Sequence, residues 1–265
     1  MLPFPEIDPV IFRIGPFAMR WYGLMYILGF LAGYGLTVYQ LRGGRKPQIP
    51  RDAVDDLFFY LIIGLIVGAR LGYAVFYNLP FYIENPLEIF MVWHGGMSFH
   101  GGLGGAFIAS LIVIIRKRLP FRATADLVIP AAPIGLCLGR LGNFINGELF
   151  GKPADVPWAM VFPRGGPVPR HPSQLYEAFF EGLLLFVILW LYKDRKKREG
   201  DVFALFLILY GLFRTFCEFF RLPDTQLGFV LGPLTMGQVL SLVMVLIGIG
   251  LKFFLFPLLE RRKNS

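Results

Sequence analysis

Apolar positions along the chain come in long blocks rather than in alternation. Runs of about 20 residues, the length that crosses the hydrocarbon core of a bilayer, lie at Trp21–Leu41, Leu57–Tyr77, Phe99–Ile115, Leu127–Leu141, Leu175–Leu191, Val202–Phe219 and Gly237–Phe256. The pattern predicts an all-α integral membrane protein of seven transmembrane helices, the fourth short and broken by Pro130 and Pro133. No heptad or internal repeat is evident, which argues against a repeat-built transporter. Nothing in the pattern divides the chain, so residues 1–265 are expected to form a single polytopic domain.

The polar segments between the blocks alternate in charge. Arg42, Arg45, Lys46 and Arg51 follow the first run; Arg116, Lys117, Arg118 and Arg122 the third; Lys193, Arg195, Lys196, Lys197 and Arg198 the fifth; Arg261, Arg262 and Lys263 the seventh. The positive-inside rule puts these in the cytoplasm, with the N-terminus outside and the C-terminus in the cytoplasm. Met1 to Pro16 holds Pro3, Pro5, Glu6, Asp8 and Pro9 and lacks a basic n-region, so no cleaved signal peptide is expected. Asn143–Pro172, rich in Gly and Pro, is the longest segment between runs and is expected to form a small external cap. Trp21, Trp93 and Trp158 fall near the expected interfaces, where an aromatic belt accounts for them.

Composition narrows the class further. With 55% hydrophobic residues, 28 Phe and only 17% charged residues, the chain is too apolar for a soluble domain. The net charge of +8 sits beside the runs, which points to orientation and anionic lipid and not to nucleic acid. Cys137 and Cys217 each lie in apolar sequence and read as small buried hydrophobes.

Against that background the stretch GRLGNFINGELFG, Gly139 to Gly151, stands out for Arg140, Asn143, Asn146 and Glu148. An arginine costs at least about 2.5 kcal/mol at the membrane centre on insertion scales, so one persists where it has a partner or a task. Arg70 lies in the second run, His100 opens the third, and Arg214, Glu218 and Arg221 close the sixth at i, i+4 and i+7, one helix face. Arg140 and Asn143 would share a face too, although Gly142, Gly147 and Gly151 make unbroken helix doubtful. These residues gather at the outer ends of the runs, and arginines outnumber carboxylates, which implies an anionic ligand. Arginine's planar fork suits phosphate, and a lipid headgroup is the phosphate at that depth. Structural alternatives stand beside this reading: an Arg–Glu–Arg ladder for the sixth run, a packed helix-start histidine for His100, and belt or core for Tyr22 and Tyr210. His94, His100 and His171 lack metal-ligand spacing, so no metal is expected. At the level of function, an organic-anion transporter and a structural scaffold compete with an enzyme.

GRLGNFINGELFG closely resembles the signature of the bacterial prolipoprotein diacylglyceryl transferases. FPEIDPVIF, RWYGLMY, GGMSFHGGLGG, RHPSQLYE and YGLFRTFCEFFRLPD also resemble that family's blocks, so the similarity runs from about Phe4 to Gln238. The resemblance implies a seven-span inner-membrane enzyme whose site faces the periplasm. Such an enzyme moves the diacylglyceryl group of phosphatidylglycerol to the lipobox cysteine thiol of a prolipoprotein, forming a thioether and releasing glycerol phosphate. It implies phosphatidylglycerol, the prolipoprotein signal peptide and the bilayer as partners, and no cofactor. Carried over by motif, Arg140 and Arg214 would handle the phosphate and His100 would be the histidine of the HGG motif, while Tyr22, Asn143, Glu148, Gly151, Tyr210 and Arg221 would support them. The thiol proton is expected to leave either to His100 or because the arginine field lowers the thiol pKa. Glu148 and Glu218 are expected to hold arginines in position.

Overall fold

Every apolar run is helical in the computed structural model, which describes residues 2–5, 7–15, 17–42, 49–222, 229–232 and 234–264. Arg45 and Lys46 of the first basic linker, and Asp224 of the last motif block, lie outside the described residues. The α-helices among the described residues are α1 (Trp21–Arg42), α2 (Arg51–Tyr77), α3 (Leu79–Glu84), α4 (Phe99–Arg116), α5 (Phe121–Val128), α6 (Ala132–Ile145), α7 (Ser173–Glu177), α8 (Leu185–Tyr192), α9 (Asp201–Glu218), α10 (Met236–Ile249) and α11 (Phe256–Asn264). Among the described residues five helices are long and apolar enough to cross a membrane: Trp21–Arg42, Arg51–Tyr77, Phe121–Ile145, Ser173–Tyr192 and Met236–Arg261. The helices of the third and sixth runs are shorter or more charged, α9 carrying Asp201, Arg214 and Glu218 within 18 residues.

Three local expectations need correcting. The fourth run is not short: α5 passes through a 3-10 turn, Ile129–Ala131, into α6, giving 25 continuous helical residues. Pro130 and Pro133 sit in the first turn of their segments, where a missing N–H costs nothing, so they tighten the helix without ending it. Likewise α6 runs straight through Gly142 to Ile145, and it is Gly147, at φ +63°, that turns the chain away. Nor is the chain wholly α: β1 (Val10–Ile14) pairs antiparallel with β2 (Phe17–Arg20), and β3 (Phe229–Leu231) with β4 (Leu234–Thr235). Each hairpin turns through a glycine at φ +58° and leads directly into a helix, α1 or α10.

Contacts divide the chain into two compact units, Val38–Thr124 and the remainder, Met1–Thr37 with Ala125–Ser265. In the smaller one, α2 and α4 run antiparallel with their backbones in contact. A Cβ on Gly64 would fall 2.5 Å from Ala109 Cβ, and one on Gly72 2.7 Å from Gly101 Cα. Between apolar helices in lipid, such close approach supplies the dispersion and Cα–H···O contacts that hydrophobic burial cannot. At one end Lys117 pairs with Asp52 at 2.9 Å and Asp56 at 2.6 Å. At the other, Arg70 is 3% exposed and donates to the backbone carbonyls of Glu88, Ile89, Met91, Gly95 and Gly96, with its guanidinium 5.1 Å from the Tyr82 ring centre. Arg70 therefore shapes residues 85–96, and its guanidinium is taken up by carbonyls instead of an anion.

The larger unit holds α6 to α11, most of α1, the second half of α5 and the expected cap. Leu185, Leu189 and Val202 are fully buried, with Phe206, Leu209 and Phe213 packed on them. The cap is irregular chain with a miniature aromatic core: Phe162 is 0% exposed and its ring lies 5.1 Å from Phe4 and 5.3 Å from Phe150. Leu2 joins it through Ala159, and backbone bridges tie Pro153 and Met160 to Arg170.

Candidate functional site

In the larger unit, α6, α7 and α9 bring six oppositely charged groups together. Arg140 Nε lies 2.7 Å from Glu177 Oε2, and Arg214 Nη1 lies 3.1 Å from the same oxygen and 3.5 Å from Glu181 Oε1. Arg214 Nη2 meets Glu218 Oε2 at 2.9 Å, and Arg221 Nη1 approaches Glu177 Oε2 at 3.9 Å. Glu177 ends α7, and Glu181 sits in the π-helical segment Ala178–Leu184 that continues it. Single π turns of this kind recur at functional sites. Here the segment seats Gly182 against Cys137 of α6, where a Cβ would stand 2.8 Å from Cys137 Cα. That contact draws the two glutamates onto Arg140.

The expected excess of arginines over carboxylates is thus overturned. Three arginines meet three glutamates, because Glu177 and Glu181 lie inside the fifth run and are each 1% exposed. Uncompensated guanidinium groups so placed would be costly, whereas paired ones are tolerated. Arg140 is the most accessible of the arginines, with 20% of its side chain exposed against 13% for Arg214 and 11% for Arg221. Glu177 Oε1 is buried without a hydrogen-bond partner among the described residues, so the cluster has acceptor capacity in reserve.

One turn beyond Arg140 a second network begins, built on amides and a tyrosine around one carboxylate. Asn143 and Asn146 both donate to Glu148 Oε1, at 3.0 and 3.1 Å. The carboxylate expected to hold an arginine is instead held by two amides, since the turn at Gly147 folds Glu148 back over the end of α6. Of the two glutamates given that task, Glu218 performs it. Asn143 also approaches the hydroxyl of Tyr22, which lies 3.1 Å from that of Tyr26. Gly142 leaves room for this: a Cβ there would stand 3.0 Å from the Tyr22 ring. Gln174 Nε2 donates to the Glu148 carbonyl at 2.7 Å, which ties the network to α7 one turn before Glu177.

Gly151 marks where the cap rejoins the helices. Its N–H donates to the His171 carbonyl at 2.9 Å and it bridges to Arg221, so a Cβ would collide with His171, 2.8 Å away, and with the Phe220 carbonyl. Trp158 Nε1 donates to the Tyr176 hydroxyl at 2.6 Å, and that hydroxyl stands 3.0 Å from His171 Nδ1. Indole can only donate, so the Tyr176 oxygen accepts from Trp158, and its second contact, to His171 Nδ1, takes its direction from the imidazole tautomer. Burial holds the imidazole below its ordinary pKa and so favours its neutral form.

Of the residues singled out from sequence, the fold brings Arg140, Arg214, Glu218 and Arg221 into one cluster. Tyr22, Asn143 and Glu148 form the adjoining network, and Gly151 lies against Arg221. Tyr210, one turn before Arg214, stacks on Phe206 with centres 5.6 Å apart and is close enough to Glu181, Arg214 and Arg140 to interact with their charges. His100 belongs to the smaller unit, where it lines a cavity of about 500 Å³ with Phe76, Tyr77, Ser98 and Gly101. Both cysteines are free thiols, Cys217 fully buried. Glu177 and Glu181 were missed, yet two carboxylates four residues apart inside an apolar run are the same signal that singles out Arg214 and Glu218.

Residues 9–254 match the family model described as prolipoprotein diacylglyceryl transferase. The chain is 54% identical over 262 residues to the phosphatidylglycerol–prolipoprotein diacylglyceryl transferase of Geobacter sulfurreducens, an alignment covering 99% of each. It is 56% identical over 252 residues to the protein of that name from Rhodospirillum rubrum, covering 94% of this chain and 92% of the other. With that of Bordetella parapertussis the identity is 51% over 255 residues, or 96% and 97% of the two chains.

Proposed function

The chain belongs to the prolipoprotein diacylglyceryl transferase family, and from that premise we propose that the cluster around Glu177 is where it moves the diacylglyceryl group of phosphatidylglycerol onto a prolipoprotein. The observation that carries this assignment is the shared oxygen: Arg140 at 2.7 Å and Arg214 at 3.1 Å from Glu177 Oε2, held there from separate helices.

The chemistry asks for such an arrangement. The sulfur of the lipobox cysteine attacks the diacylglyceryl carbon that bears the phosphate oxygen. A carbon–sulfur bond forms, the carbon–oxygen bond breaks, and glycerol phosphate departs with the bonding pair. The donor phosphodiester carries one negative charge, and the departing monoester approaches two near neutral pH. Arg140, reached from the surface, and Arg214 behind it stabilise that growing charge more than the charge of the bound lipid, which is the condition for catalysis. Glu177, Glu181 and Glu218 keep the guanidinium groups oriented and compensated when no phosphate is present. Guanidinium does not accept protons, so the thiol proton is lost either to a separate base, a role His100→Gln tests, or directly from a thiol whose pKa the arginine field has lowered. Asn143, Glu148 and Tyr22 line the approach to Arg140, with Tyr210, Gly151 and Arg221 as supports. The chain crosses the membrane seven times, basic loops and C-terminus in the cytoplasm, and the site opens toward the periplasm of the inner membrane.

A structural scaffold also predicts internally paired arginines, so pairing alone does not separate the readings. Activity does. Purified protein is incubated with phosphatidylglycerol and a lipobox peptide, and the peptide is weighed by mass spectrometry. The expected result is a gain of one diacylglyceryl group, lost in Arg140→Ala and slowed in His100→Gln with a changed pH profile. No gain in the wild type refutes the assignment, and an unchanged profile in His100→Gln refutes the base.

A further inference from the structure

Asp126, far along the helices from the arginine cluster, is 0% exposed and has both oxygens fully engaged. Oδ1 accepts the backbone N–H groups of Val202 at 3.1 Å and Phe203 at 3.0 Å, and Oδ2 accepts that of Gly200 at 2.8 Å together with the Lys196 ammonium. These are the opening amides of α9. Its own N-cap residue is Gly200, at φ +94°, which has no side chain to cap with and is pressed against Phe256. A helix N-terminus leaves its first N–H groups unsatisfied and favours negative charge. Here the cap is supplied by another helix, about 75 positions away in sequence.

The two helices so joined are those that carry the arginines. Arg140 lies 14 residues beyond Asp126, and Arg214 lies 13 residues beyond Asp201 where α9 begins. At about 1.5 Å of rise per residue both reach roughly 20 Å from the cap. There Glu177 Oε2 takes both guanidinium groups. The pair of helices is pinned at one end by a carboxylate of its own and at the other by one from α7. A shift of α9 along its axis would break both fastenings.

We propose that Asp126 is a positioning residue for diacylglyceryl transfer: by capping α9 from α5 it sets the axial register that levels Arg214 with Arg140. The proposal rests on the assignment of the arginine cluster as the reacting site. A misplacement of about 1 Å by a change far from the chemistry can cost up to 10²-fold in rate.

The test compares Asp126→Glu, Lys196→Met and wild type in the same transfer assay, with thermal unfolding of each. Asp126→Glu keeps the charge and the lysine but moves the carboxylate out by one methylene, whereas Lys196→Met loses the ion pair and keeps the cap. Expected are a kcat at least fivefold lower for Asp126→Glu, with KM for phosphatidylglycerol within twofold, and a kcat within threefold of wild type for Lys196→Met. Equal kcat for Asp126→Glu and wild type overturns the role, as does an equal fall in both variants, which would indicate stability alone. A wild type that transfers nothing removes the catalytic assignment and this role with it. Active wild type with an unaffected Asp126→Glu removes the role alone.

Discussion

Glu177 holds two arginines on one oxygen, which makes it the residue whose charge the cluster can least lose. Glu177→Gln preserves shape while leaving Arg140 and Arg214 short of a counter-charge, and breaking a buried pair in this way costs roughly 3–5 kcal/mol. Glu181 and Glu218 soften that loss, so the expected outcome is a midpoint of thermal unfolding lowered by several degrees and transfer slowed at least tenfold. Glu218→Gln is expected to slow transfer less than Arg214→Ala, as befits a group that orients another; the reverse order in the peptide assay would show Glu218 nearer the chemistry. At this scale the arginines were legible because charge inside an apolar run demands an account. Glu177 and Glu181 were not, because RHPSQLYE reads as the polar lead-in to a span, and a run beginning at Leu175 treats the residues after it as hydrocarbon. Glu148 was misread for a different reason: its partners are set by the turn at Gly147, a backbone event that no side-chain spacing announces.

The helices were legible in place but not in extent: hydropathy locates the apolar runs, yet α2 begins at Arg51, six residues before its run, and the fourth run widens to Phe121–Ile145. The hairpins were not legible: strands of two to five residues leave no period to count. How helices meet was partly written in glycine. Gly64, Gly68 and Gly72 recur every fourth residue on α2 and face Gly101 and Gly105 of α4. Gly68→Leu drives a branched side chain into the Gly101 carbonyl and the Gly105 backbone, so the helices must part. The expected result is loss of most folded protein from the membrane fraction, while Gly104→Leu, at a position with nothing within 4 Å of an added Cβ, is expected to be tolerated. Comparable yields of the two variants would mean that the close approach is not what holds this pair.

For the whole molecule, the proposed topology rests on the charge in the linkers. Alkaline phosphatase fused after Asp155 is expected to be active, being outside, and fused after Lys197 inactive; the opposite pattern would invert the topology and turn the arginine cluster toward the wrong leaflet. Arg70 sets the course of a whole loop from one position. Its five carbonyl partners all come from residues 88–96. A lysine there would offer three donors to five acceptors, leaving at least two carbonyls of the loop to find another donor.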